Sequence, residues 1–287
     1  MPGGAAGASV ILTDARRERF AQIGWITGAG GVPRSFAAWS TPHGSALRVL
    51  PGRLAPGGLI VYKAEVAGSV LRLWVDGVDG APRLRGVPTE LVAAEAQIEA
   101  ATLGGARLGA RAADPAVLGW TFAHVDGRWT RFAPASVSAD AGLGARRTDT
   151  FDGEAGTHIL VWDRGRSRPP VAVPARPPAR VATTAELRAV FGVELHSATA
   201  ARAAGAAVAR RTARAATGAS RVLGVQRAIC DDRQLVPALH ARCYVVAVAP
   251  GSRSPVGPRG GPARAAPTAL TALVSADGER LLETLAL

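Results

Sequence analysis

The sequence predicts a mainly β chain that ends in an α+β portion, and three observations carry that expectation. Short runs of apolar residues, several of them alternating with polar ones, are punctuated by Gly, Asp and Pro turns through the first 165 residues. All six tryptophans lie in that stretch. Beyond a Pro/Arg-rich segment at 166–180 the pattern changes to two helix signatures followed by strand-like runs. The expected architecture is an N-terminal antiparallel β-sandwich or barrel-like domain over 1–165, a linker over 166–180, and a small helix-plus-antiparallel-sheet module over 181–287.

Taken in order, Ile23 to Thr27 and Leu47 to Leu50 read as short strands. Leu59 to Val66 and Val70 to Val75 read as a hairpin. With Ala67-Gly68 as the two-residue turn, Ile60, Tyr62 and Ala64 oppose Val75, Leu73 and Leu71 on one apolar face. Residues 88–101 are expected to be the exception, a short helix capped by Thr89 that shows Leu91, Val92 and Ile98 to the core. A second hairpin follows, Trp120 to Val125 and Arg128 to Phe132 around Asp126-Gly127, the dipeptide that best fits a tight hairpin turn. Thr157 to Trp162 is a further apolar strand.

In the linker, repeated prolines between Arg164 and Arg180 forbid helix and central strand, and an extended polyproline spacer is expected. Next, Thr183-Thr184-Ala185-Glu186 has the form of a capping box, opening a helix from Thr184 to Phe191 that stops at Gly192. Ser197 to Thr217 reads as an alanine-rich helix closed by Gly218. Strands are expected at Arg221 to Cys230, Leu239 to Ala249, Ala269 to Ser275 and Leu281 to Leu287, with a loop over Pro250 to Pro267. Helix first and antiparallel sheet after is an element order similar to cystatin-type or NTF2-type modules, an analogy of order alone.

The formal net charge is +12, and it is uneven: residues 1–165 carry 17 basic and 15 acidic side chains, against 17 and 7 in residues 166–287. Only Lys63 among the 34 basic residues is a lysine, so an arginine-rich composition explains much of the excess without any ligand. Arg202, Arg210, Arg211 and Arg214 nevertheless share the alanine-rich helix with no acidic residue among them, and they are the candidate contacts for nucleic acid or another polyanion. No apolar run reaches the ~18 residues of a membrane span, and the first residues lack the basic and hydrophobic regions of a signal peptide, so neither is expected. The compartment stays undetermined by the sequence.

Two cysteines exclude a disulfide scaffold and a four-thiolate zinc site. Cys230 and Cys243 fall on successive strands and are a disulfide candidate; in a reducing compartment they read as two buried thiols. His240 and Cys243 have the residue types of a nucleophile pair, but residues three apart on a strand point to opposite faces. The remaining histidines, His43, His124, His158 and His196, are scattered without metal-ligand spacing. Gly28-Ala29-Gly30-Gly31 lacks the spacing of a dinucleotide loop, and Asp76 and Asp79 sit in a glycine turn that falls short of a calcium loop. No cofactor or metal is expected.

The aromatic residues are the most distinctive feature. The second hairpin pairs 124 with 129 and 122 with 131, which gathers Trp120, Phe122, His124, Trp129 and Arg131 on one face. A sandwich core is the favoured expectation for this strip; a surface for a sugar or a partner protein is the alternative. The functional expectation is a non-catalytic structural or interaction protein, an assembly component or envelope-associated binding protein, that meets a protein partner or itself. A polyanion-binding protein using the C-terminal arginines is the first alternative. A hydrolase whose residues form no local motif is the second.

Overall fold

The computed structural model describes residues 5–27, 33–42, 44–50, 54, 60–75, 84–101, 111–119, 122–125, 127–131, 143–151, 153–164, 178–235, 238–249 and 267–287. The chain opens with an antiparallel meander, β1 (Ala5–Thr13), β2 (Phe20–Thr27), β3 (Pro33–Thr41) and β4 (Gly44–Val49). Asp14 closes the first turn, its carboxylate accepting from the backbone N–H groups of Glu18 and Arg19. β5 (Tyr62–Ala67), β6 (Val70–Val75) and β7 (Leu84–Arg85) form a separate small sheet. β8 (Ala93–Ala101) then returns to pair with β1 along its whole length. β9 (Ala116–Gly119), β12 (Leu143–Phe151) and β13 (Glu154–Asp163) make a three-stranded sheet, and β10 (Phe122–Val125) pairs with β11 (Arg128–Arg131).

Past residue 178 a short helical segment, α1 (Thr184–Glu186), continues into a π-helical turn, Leu187–Phe191. β14 (Glu194–Ala200) precedes the long helix α2 (Ala203–Thr217), and a second meander follows: β15 (Val222–Asp232), β16 (Leu239–Val248), β17 (Leu270–Ser275) and β18 (Leu281–Ala286). The two meanders join edge to edge where β18 pairs antiparallel with β4. One ten-stranded sheet results, in the order β14-β15-β16-β17-β18-β4-β3-β2-β1-β8. The fold is thus mainly antiparallel β with little helix.

Alternation along these strands sorts the core into two clusters. One face collects Ala37, Trp39, Ala46, Leu285, Leu273, Val245, Cys243 and Cys230, and is covered by Leu71, Leu84 and Val87 and by Leu187, Phe191 and Val193. Trp39 meets Phe191 edge to face at 5.7 Å between ring centroids. The opposite face carries Leu47, Ala272, Val274, Val246 and Tyr244, against which α2 lays Ala209 and Ala213. The buried alanines of α2, Ala206, Ala209 and Ala213, recur at helical spacing and let the helix approach closely. Gly205 extends that approach, because a Cβ there would strike the Tyr244 hydroxyl.

Several local expectations hold. Thr183 and Glu186 form the capping box, Gly192 and Gly218 close their helices in the left-handed conformation, and the four C-terminal strands stand within two residues of their expected ends. Three are corrected. Residues 88–101 do not form a helix capped by Thr89: Ala93–Ala101 is strand β8, because nine consecutive pairings to β1 outweigh the weak preference of an isolated short helix. The helix expected from Ser197 starts at Ala203, since Ser197, with a positive φ of 53° at a register shift, and the residues up to Ala200 belong to β14. In the first hairpin the turn is Gly68-Ser69, not Ala67-Gly68: Gly68 takes φ 57°, and Tyr62 therefore pairs with Val75 and Ala64 with Leu73. The shift preserves which residues share a face. The linker over 165–177, the Gly28–Gly31 turn, Asp76 and Asp79, and the loop over 250–266 lie outside the described residues.

Candidate functional site

The pairing of β10 with β11 places the aromatic strip as its spacing requires: Phe122 opposes Arg131 and His124 opposes Trp129. Trp120 lies outside the described residues. The strip is not core. Phe122 is 47% and Trp129 56% exposed, and every residue of β11 is exposed; among the described residues these two strands form a sheet of their own. The expectation of a sandwich core fails for that reason. His124 tilts against Trp129 with ring centroids 5.1 Å apart. The ammonium of Lys63, on β5, stands over Trp74 at 4.1 Å and over Trp129 at 5.5 Å. Lys63 is the residue that sequence reasoning left out of this surface; its position mid-strand gave no signal for a partner on another hairpin. The described residues of the ribbon carry Arg128 and Arg131 and no carboxylate.

The C-terminal arginines divide. Arg202 stands at the N-terminal end of α2, and Arg211 on its exposed side. Arg210 and Arg214, one turn apart, instead line a cleft of about 390 Å³ with Ser220, Arg221 and the first residues of β15. Arg214 Nη2 donates to the Ser220 carbonyl. Arg221 was not among the residues expected here; its position three residues past the terminating Gly218, where the chain doubles back along the helix, is the signal that would have found it.

Cys230 and Cys243 form a disulfide. They are not directly opposed: Cys230 pairs with Ala241 and Cys243 with Ala228, so the bond runs diagonally across one face, with Cα atoms 6.0 Å apart. The bond removes the nucleophile from any His240/Cys243 pair. His240 instead lies exposed beside Asp231 at 3.5 Å, and His196, on the neighbouring strand, approaches the same carboxylate at 3.9 Å. Among the described residues no group of three His, Cys, Asp or Glu is arranged to hold a metal ion, and no helix is long and apolar enough to cross a membrane.

The densest buried electrostatics belong to Arg48, Asp232 and Glu283, all fully enclosed. Arg48 Nη2 donates to Asp232 Oδ2 at 2.7 Å and to the Phe191 carbonyl at 2.6 Å, while Nε lies 2.5 Å from Glu283 Oε1. Two carboxylates against one guanidinium would leave a buried negative charge. Burial pushes the Glu283 carboxyl up to about 8, and the neighbouring Asp232 charge adds to this against the pull of Arg48. Burial raises Asp232 as well. A proton retained on Glu283 at neutral pH leaves the trio uncharged overall, which is how a buried group avoids the cost of desolvation. The trio has no access to solvent, so its role is structural. The sequence offered one readable sign: Glu283 stands at an inward position of an apolar strand.

No family model, curated protein or solved structure matches this chain.

Proposed function

We propose that this chain is a non-catalytic interaction protein whose β10–β11 ribbon, with Lys63 beside it, docks a protein partner bearing an acidic segment. The observation that carries the reading is the exposure of Phe122, His124, Trp129 and Arg131 on one face of a two-stranded ribbon. Tryptophan and arginine are the residue types that dominate binding energy at protein interfaces, since they bring large contact area or planar hydrogen bonding with little left to freeze. The ribbon's described charges, Arg128, Arg131 and nearby Lys63, are all positive. Two copies meeting ribbon to ribbon would set like charges against each other, so an acidic partner fits better than self-association. The buried disulfide supports residence in an oxidising compartment, as an envelope-associated or exported binding protein would have.

The test is binding of the full chain to an acidic, tyrosine-containing polypeptide, poly(Glu,Tyr), followed by tryptophan fluorescence and calorimetry. Trp129→Ala with Arg131→Ala should weaken binding about tenfold or more while the melting temperature stays that of the parent protein. Unchanged affinity in the double variant overturns the reading.

A further inference from the structure

We propose that the cleft between the last turns of α2 and the start of β15 is a binding site for a phosphate-class oxyanion carried on a small molecule. The proposal is independent of the ribbon. Three arginines line the cleft, Arg210 and Arg214 from the helix and Arg221 from the chain that follows it. None of the three forms an ion pair with a carboxylate among the described residues. Three cationic side chains around one cleft without a carboxylate counterion leave a positive field there, and an oxyanion seated among them is attracted by all three while accepting from several N–H donors. Their place around the cleft is not simply the composition of the helix, because Arg202 and Arg211 on the same segment do not line it.

Geometry narrows the ligand. Arg214 is tied across the cleft to the Ser220 carbonyl, which fixes its planar group and leaves its other donors free. The C-terminal end of a helix disfavours an anion, but its field equals about half an elementary charge against three full ones. Half-buried Val222 and Leu223 form an apolar wall next to the arginines, suited to a ligand with an uncharged body attached to its anionic group.

The experiment is calorimetric titration of the full chain with phenyl phosphate, and in parallel with a short duplex DNA, across a salt series. Two charge-matched double variants are compared, Arg210→Ala/Arg221→Ala and Arg202→Ala/Arg211→Ala. All four positions are exposed, and leaving Arg214 unchanged keeps its contact with Ser220. Saturable binding of phenyl phosphate that falls about tenfold or more in the first variant, and less than about twofold in the second, is the expected result. Arg221→Glu alone should abolish it. Equal loss in the two double variants, or saturable binding of the DNA alone with a steep salt dependence, would show long-range attraction to a polymer and overturn the compact site. Absence of saturable phenyl phosphate binding overturns it as well.

Discussion

Arg48 Nη2 lies 2.7 Å from Asp232 Oδ2, both side chains are closed to solvent, and 184 residues separate them in the chain. The relationship also measures the shape of the sheet. From β15 to β4 the strand order runs through β16, β17 and β18, a flat span of about 19 Å at the usual strand spacing. No pair of side chains bridges that distance, so the sheet must curl towards the face that holds Arg48, Glu283 and Asp232. The guanidinium is where the curled sheet and the π-helical turn ending at Phe191 are tied together.

Removing Arg48 therefore leaves two buried carboxyl groups without their cation. Arg48→Met should destabilise the fold by about 3–5 kcal/mol, read from urea unfolding. Replacing all three together, with Arg48→Met, Asp232→Leu and Glu283→Leu, should recover much of the loss, since a dry apolar trio carries no desolvation cost. A triple variant as unstable as Arg48→Met would show that the ion pairs themselves hold the fold.

Glu283 gives the stability a definite slope with pH. Its folded value, about 8, lies above the 4.5 of an unperturbed glutamate, so between these values the folded chain holds a proton that the unfolded chain has released. Stability falls as pH rises through that window, by at most about 1.4 kcal/mol per unit from this group, and levels off above it. In Glu283→Gln the fall between pH 4.5 and 8 should disappear. A parallel pH profile for parent and variant would assign the slope to other groups.

Glu186 acts in the opposite sense. Hydrogen bonds from Arg180, at 2.6 and 2.8 Å, hold its carboxyl down to about 2, opposed by partial burial and aided by Thr183. Its contribution is present above the unperturbed value of 4.5 and is lost as pH falls towards 2. Thr183→Ala, which removes one arm of the capping box, should cost about 1 kcal/mol at neutral pH, with the loss centred on the 184–191 segment in hydrogen exchange.

The disulfide should resist reduction while the chain is folded, because Cys230 and Cys243 are both buried. Thiol titration should find no free thiol without reductant and two after unfolding in its presence. Cys230→Ala with Cys243→Ala should lower stability by about 3 kcal/mol, the value for closing a loop of this length. Free thiols in the protein isolated without reductant would contradict the bond.

Gly24 is the most constrained of the glycines inside a strand. A Cβ there would collide with the carbonyl oxygen of Ala8 on the neighbouring strand, a backbone atom that has no side-chain freedom to move. Gly24→Ala should cost about 1–3 kcal/mol or more and spread the β1–β2 ladder, visible as faster amide exchange at Ala8 and Ser9.

What the sequence by itself determined were features that depend on neighbours along the chain. The hairpin at Asp126-Gly127, the capping box at Thr183, the glycine stops at 192 and 218 and the C-terminal strands are of this kind, because turn chemistry, caps and side-chain period act over a few residues. Tertiary structure decided the rest. Residues 88–101 carry the local marks of a helix, yet β1 offers them a complete ladder, and long-range pairing outweighs a preference worth fractions of a kcal/mol per residue. The pairing of β18 with β4 and the meeting of Arg48 with Asp232 leave no trace in local pattern, since nothing near either residue encodes its distance from the other. The same holds for the surfaces: alternation placed Phe122, His124, Trp129 and Arg131 on one face, but only tertiary structure left Phe122 and Trp129 exposed and brought Lys63 of another hairpin beside Trp129.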